Sequence, residues 1–193
     1  MENTNIRTTA RRTVPVRERR PASQGTRGGE LVTVAGSPQT ALWLSRMARE
    51  AGLPWRVREL GRGGPKGLVV FPHPEDYPEL LRHWTGLDRA VVSLDCPEGR
   101  SLALSGRVET FTFSEGRDAA DLTAKDLRVT PYGLRFVAVT KAALAWVCVE
   151  QEKLYPALAA MACGVCLGAD LESAARAVSV PAAEARGRIV KMA

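Results

Sequence analysis

The stretch from Leu31 to Gly52, LVTVAGSPQTALWLSRMAREAG, limits the possible folds more than any other part of the chain. A short apolar run, Leu31 to Ala35, meets a Gly-Ser-Pro turn, after which Ala41, Leu42, Leu44, Met47, Ala48 and Ala51 recur at helical spacing until Gly52. Strand, tight turn and helix in that order form the opening unit of an α/β sheet. Phosphates often sit at such a turn, because backbone N–H groups and the helix N-terminus attract anions. Here the chemistry departs from the shape. A Walker-type loop needs two glycines to bend around phosphates and a lysine to meet their charge. Gly36-Ser37-Pro38-Gln39-Thr40 keeps one glycine, has no lysine, and loses a donor at Pro38. Pro38 suits the first helical position after a Ser37 cap, so the turn is expected to be structural.

Charge is unevenly distributed. The formal net charge is +6 over 193 residues. Residues 1–30 carry seven arginines against Glu2, Glu18 and Glu30, a net of +4, which leaves +2 for the remainder. Residues 1–29 have no apolar period and are expected to form a disordered basic tail; Arg11, Arg12, Arg17, Arg19 and Arg20 are its candidate phosphate contacts. Residues 30–193 are expected to form one domain. No apolar run is long enough to cross a bilayer and no signal-peptide core opens the chain, so membrane insertion is not expected and a cytoplasmic location is. Cys96, Cys148, Cys163 and Cys166 lie among apolar residues, as reduced and partly buried thiols do.

Farther along, Trp55 to Leu60, Gly67 to Phe71 and Arg89 to Leu94 read as strands, and Leu80, Leu81 and Trp84 as part of a short helix behind an Asp76/Glu79 capping box. The glycines at 61, 63 and 64 read as a flexible turn, without the lysine of a phosphate loop. His73 and Asp95 are candidate residual ligand contacts. Asp95 follows a strand, where the carboxyl edge of an α/β sheet collects ligands, although an Asp-initiated turn is the simpler account. Residues 107–150 form a strand-rich portion: one strand near Val108 to Phe113, a hairpin through Pro131-Tyr132-Gly133, and Leu144 to Val149. These strands are expected as a small mixed or antiparallel layer beside a parallel sheet. Tyr155 to Leu167 reads as a broadly apolar helix stopped by Gly168, and Asp170 as the cap of Leu171 to Val178. Cys163 and Cys166 are a lone CxxC pair without further ligands, so no metal site is expected.

Three blocks resemble the central domain of the Mur ligases, most closely the MurE branch, which joins amino acids to UDP-linked muramyl peptides in peptidoglycan synthesis. They are LVTVAGSPQTALWLSRMAREAG; HPEDYPELLRHWTGLDRAVVSLDCPEG running through GRVETFTFSEGRDAADLTAKDLRVTPYGLRFVAV; and YPALAAMACGVCLGADLESAARAVSVPAAEARGRIV. The resemblance implies a shortened P-loop-like α/β domain with a parallel or mixed sheet and flanking helices. Set against the family's Gly-Thr-x-Gly-Lys-Thr loop, Gly36, Ser37, Gln39 and Thr40 form a vestigial nucleotide site with Gln39 at the lysine position. Pro72 stands where an acid precedes the family's His-x-x-Tyr, Cys96 replaces the second carboxylate of Asp-Asp-Pro, and Lys153 and Pro156 replace asparagines around Tyr155. The stretch that carries the family's metal-binding glutamate is missing between Leu53 and Phe71, and the flanking UDP-binding and amino-acid-binding domains are absent from this sequence.

These departures imply a degenerate, non-catalytic relative that needs no cofactor and acts through protein interaction, with itself or with a cell-wall synthesis protein. Two alternatives stay open. One is an ATP-dependent carboxylate-amine ligase subunit completed by a partner; the other is a nucleic-acid binder working through the basic tail.

Overall fold

The computed structural model describes residues 29–61, 64–73 and 87–180. Residues 1–28 of the basic tail, the short helix with its capping box and the chain after Val180 lie outside these residues. β1 (Leu31–Val34) is buried on both faces, as a near-continuous apolar strand inside a parallel sheet must be. α1 (Pro38–Glu50) begins three residues later and buries Thr40, Ala41, Trp43, Leu44, Met47 and Ala48 along one side. Its return leads to β2 (Arg56–Glu59), parallel to β1 at the sheet edge, and the chain then crosses to β3 (Leu68–Val70) on the other flank of β1. β1 therefore lies beside a reversal of strand order, and carboxyl-end crevices form at such switch points.

β4 (Arg89–Ser93) and β5 (Glu109–Ser114) extend the parallel run, joined by α2 (Pro97–Ser105). The turn expected at Asp95 is in fact the approach to this helix. Cys96 is its N-cap, with Sγ accepting from the Gly99 N–H at 3.2 Å, and Gly106 closes it in the left-handed conformation. β6 (Leu122–Thr130) still pairs parallel with β5, but only through Phe113 to Leu122 and Ser114 to Thr123. From there the sheet turns antiparallel through β7 (Gly133–Thr140) and β8 (Leu144–Val149). The expected antiparallel strands are present, and they continue the parallel sheet edge to edge, giving one eight-stranded mixed sheet in the order β2-β1-β3-β4-β5-β6-β7-β8.

The β6–β7 hairpin turns at Gly133, whose φ of 126° favours glycine and whose added Cβ would lie 2.2 Å from the Val149 carbonyl oxygen on β8. Within β6, Asp126 has a φ of 52° and the pairing register shifts between Lys125 and Arg128. This bulge adds one residue to the strand and re-aims everything after it.

A short 3-10 turn, Gln151–Lys153, leads into α3 (Leu154–Cys166), which is buried from Pro156 to Gly164. It lies against the sheet between α1 and α4 (Leu171–Val178). Small residues permit this close approach: a Cβ on Gly164 would sit 2.9 Å from Met47 Sδ of α1. Leu158 and Met161 are fully buried here, each stabilising the fold by roughly 1.5–3 kcal/mol. Asp170 caps α4 by accepting from the Ser173 N–H at 2.8 Å, as its position predicts. On the opposite face, α2 packs on β4 and β5, with Leu102 against a smaller cluster of Val69, Phe71, Ala90, Val92 and Cys96.

Candidate functional site

The carboxyl ends of the parallel strands bring together two groups of residues. The first is the β1–α1 turn. Gly36 is exposed with a φ of 66°, and Ser37 is nearly buried with its Oγ accepting from the Thr40 N–H at 3.2 Å. The Ser37 and Thr40 hydroxyls are 2.9 Å apart, and Thr40 Oγ1 donates to the Pro156 carbonyl of α3 at 3.2 Å. Thr40 has no exposed surface, and Gln39 is half-buried. Both hydroxyls that would face a phosphate in a cradle are thus spent on capping α1 and fastening it to α3. Pro38 withholds its own donor from the same helix start.

The second group gathers around Asp95, just past β4. Its Oδ1 accepts from Ser114 Oγ at 2.6 Å; its Oδ2 accepts from the Glu115 N–H at 2.8 Å, from Ser93 Oγ at 3.3 Å and from Tyr155 OH at 3.3 Å. Arg117 Nε stands 3.9 Å from Oδ1. Tyr155 OH is also 3.3 Å from Glu115 Oε2, so one phenol proton serves two carboxylates. Burial first, and then the negative charges of Asp95 and Glu115, push the Tyr155 hydroxyl far above its ordinary range and keep it a donor. The carboxylate ties the ends of β4 and β5 to the start of α3 with nearly all its acceptor positions filled. As it stands, the cluster can position Glu115 and Tyr155 at the sheet edge.

Of the residues singled out by sequence, Gly36, Ser37, Gln39 and Thr40 sit together at the first group and Asp95 organises the second. His73 lies three residues past β3, half-buried, and among the described residues no hydrogen bond or ion pair joins it to Asp95. Arg11, Arg12, Arg17, Arg19 and Arg20 lie outside the described residues. Sequence reasoning missed Ser114, Glu115 and Tyr155. A signal was available: polar residues just past the ends of adjacent parallel strands share one edge. Among the described residues, no group of three or more His, Cys, Asp or Glu side chains is placed to hold a metal ion. Burial raises the thiols of Cys96 and Cys163, in keeping with their apolar surroundings. An open groove of about 660 Å³ lies away from this edge, between β8, α4 and Arg46 of α1.

Strand order, the helix layer on one face and the turn after β1 define an α/β domain with the architecture of the Mur ligase central domain. Among solved structures, the chain is similar to the MurF ligase of Thermotoga maritima in complex with ADP, with 16% identity, a TM-score of 0.57, and coverage of 80% of this chain and 49% of that one. It is also similar to a UDP-N-acetylmuramoyl-L-alanyl-D-glutamate–2,6-diaminopimelate ligase, with 14% identity, a TM-score of 0.59, and coverage of 77% and 45%. Folylpolyglutamate synthetase from Lactobacillus casei gives 10% identity, a TM-score of 0.55, and coverage of 79% and 62%. The chain spans about half the length of these Mur ligases. At such identities the likeness is one of fold, and it extends over several ligase types at similar scores, so the expected assignment to the MurE branch is replaced by the broader Mur-ligase-like fold. No protein-family model matches the sequence, and no curated protein does. Among the described residues, no helix is long and apolar enough to cross a membrane.

Proposed function

We propose that this chain is a non-catalytic binding or scaffold protein built on the Mur-ligase-like fold, acting in the cytoplasm beside peptidoglycan synthesis. The observation that carries this reading is the Thr40 hydroxyl, fully buried and committed to the Pro156 carbonyl. A side chain in that state has no free face for a phosphate or a phosphate-bound metal. The absence of a lysine at Gln39 supports the same reading, since carboxylate phosphorylation needs a charge-assisted phosphate contact at that position. Partners consistent with this role are a second copy of the chain or a cell-wall synthesis protein. Light scattering on the purified chain, alone and mixed with candidate ligases, tests for them.

A second reading is supported by the kinship with ATP-dependent ligases, one of them solved with ADP, and by the Asp95, Glu115 and Tyr155 group at the same sheet edge. Under it, the chain is one subunit of a carboxylate-amine ligase and a partner supplies the missing phosphate and metal contacts. Calorimetric titration with ATP and ADP in the presence of magnesium separates the two readings. The first predicts no saturable heat from a folded sample. Saturable binding weakened by Gly36→Val, followed by amide formation only when a partner is added, would overturn it in favour of the second.

A further inference from the structure

The face of β6, β7 and β8 turned away from α1, α3 and α4 carries three cross-strand rows. They are Thr123–Val139–Leu144, Lys125–Val137–Trp146 and Arg128–Arg135–Cys148. Leu144 is 67% exposed and Trp146 62%, so among the described residues the β8 side of this face is open, while Thr123 and Val137 are buried. We propose that it binds single-stranded nucleic acid, with a base stacked on Trp146 and phosphates paired with Arg128 and Arg135. The proposal rests on the reading of the chain as a binding protein and names the partner class of one surface.

Two observations point to a polyanion and a third to a base. The bulge at Asp126 is the first: Lys125 and Arg128 are an odd number of positions apart and would face opposite sides of a regular strand, yet the extra residue puts both on the outer face. Arg135 then lies beside Arg128, its guanidinium carbon 5.7 Å from the centroid of the Trp146 ring. Lys125 is paired with Asp118, whereas Arg128 and Arg135 have no carboxylate partner among the described residues.

Charge distribution along the sequence is the second. Residues 31–180 hold seventeen basic and seventeen acidic side chains, so the whole +6 lies in the flanking segments, +4 in residues 1–30 and +2 in residues 181–193. Neither flank suits a basic surface as its own cover, and a second copy would set like charges against each other. Val180 lies along the edge of β8, its N–H donating to the Cys148 carbonyl at 2.9 Å. The third is the position of Trp146 at the sheet edge: with Leu144 it also borders the groove of about 660 Å³ between β8 and α4, which holds Arg46, Arg176 and Glu172 and gives an unstacked base access to the indole from the edge. A sheet face that presents one indole among cations reads bases that are not already stacked in a duplex, which selects a single strand.

The test uses the full chain and a fluorescent oligothymidine of about twelve nucleotides, within the usual range for one such platform. Anisotropy is followed from about 50 to about 200 mM salt. Trp146→Ala should weaken binding about tenfold and Trp146→Phe should restore most of it. Arg128→Gln and Arg135→Gln should each reduce the salt slope by about 0.7. A full chain with Arg11, Arg12, Arg17, Arg19 and Arg20 changed to Gln should bind more weakly but keep its dependence on Trp146. Circular dichroism of each variant verifies the fold, and the exposed position of Trp146 makes its loss tolerable. The proposal is overturned if Trp146→Ala binds as tightly as the parent, if the five-arginine variant loses all binding, or if polyglutamate competes as well as unlabelled oligothymidine. Absence of oligothymidine binding at low salt also overturns it. An ATP titration of the same samples tests the non-catalytic reading separately, because that reading predicts no saturable nucleotide binding.

Discussion

Thr40→Val tests the proposed role of the β1–α1 turn directly. The side chain is fully buried, with Oγ1 placed 3.2 Å from the Pro156 carbonyl and 2.9 Å from the Ser37 hydroxyl. Valine keeps the shape, so the change opens no cavity. It takes the donor away from the Pro156 carbonyl and the acceptor away from the Ser37 hydroxyl, at about 1–3 kcal/mol in total. For a domain of this size each kcal/mol lowers the midpoint by about 2–4 °C, so a loss of several degrees is expected in thermal unfolding. Thr40→Ser is the control. It keeps the hydroxyl and gives up one methyl, costing about 0.8 kcal/mol for the lost apolar group. A cycle combining Thr40→Val with Ser37→Ala should reveal coupling of about 0.5 kcal/mol or more, because the two hydroxyls share one hydrogen-bonding network. Unfolding and ATP titration are measured on the same samples. If Thr40→Val were as stable as the parent but altered a nucleotide response, the hydroxyl would be facing a ligand and the reasoning would fail.

Three other outcomes follow from the structure. Tyr155 has its hydroxyl pushed up by burial and by the Asp95 and Glu115 charges, so the stability it contributes is complete below the ordinary tyrosine value of about 10 and declines as pH rises above it; Tyr155→Phe should flatten that decline in alkaline urea titrations. Asp170 is held below the usual carboxylate range by hydrogen bonds from Ser173, so its stabilisation is present above about pH 4 and is lost as pH falls through the lowered value; Asp170→Asn keeps the cap and should reduce this acid sensitivity. Gly133→Ala forces a side chain into a positive φ and to within 2.2 Å of the Val149 carbonyl oxygen, so it should cost at least about 2 kcal/mol and loosen β7 and β8 in hydrogen exchange.

Where periodicity and punctuation coincide, the elements were legible in the sequence. β8 and α4 match their expected ranges, and α1 follows from Ser37, Pro38 and the recurring apolar positions behind them. α2 was hidden because its cap is a thiol and only Gly99 is buried along it, which leaves no apolar stripe. The junction of parallel and antiparallel strands was hidden for another reason. It consists of two residue pairs between β5 and β6, and pairing between strands leaves no periodic trace within either one. The site divides in the same way. Gly36, Ser37, Thr40 and Asp95 stand in local patterns that can be recognised, whereas Tyr155 reaches Asp95 across sixty positions and is placed there only by the packing of α3.

The shortness of the turn after β1 also bears on what this chain can become. Ala35, Gly36 and Ser37 are all that separate strand from helix, and α1 is packed closely enough on α3 for Met47 to meet Gly164. Replacing Gln39 by lysine would put a cation beside a loop too short to wrap a phosphate. On the proposed non-catalytic reading, a phosphate cradle at this turn would require inserted residues and the release of Thr40 from Pro156. Releasing Thr40 leaves a buried carbonyl short of a donor before any phosphate contact is gained, so on that reading no single substitution returns the turn to phosphate binding without a loss of stability.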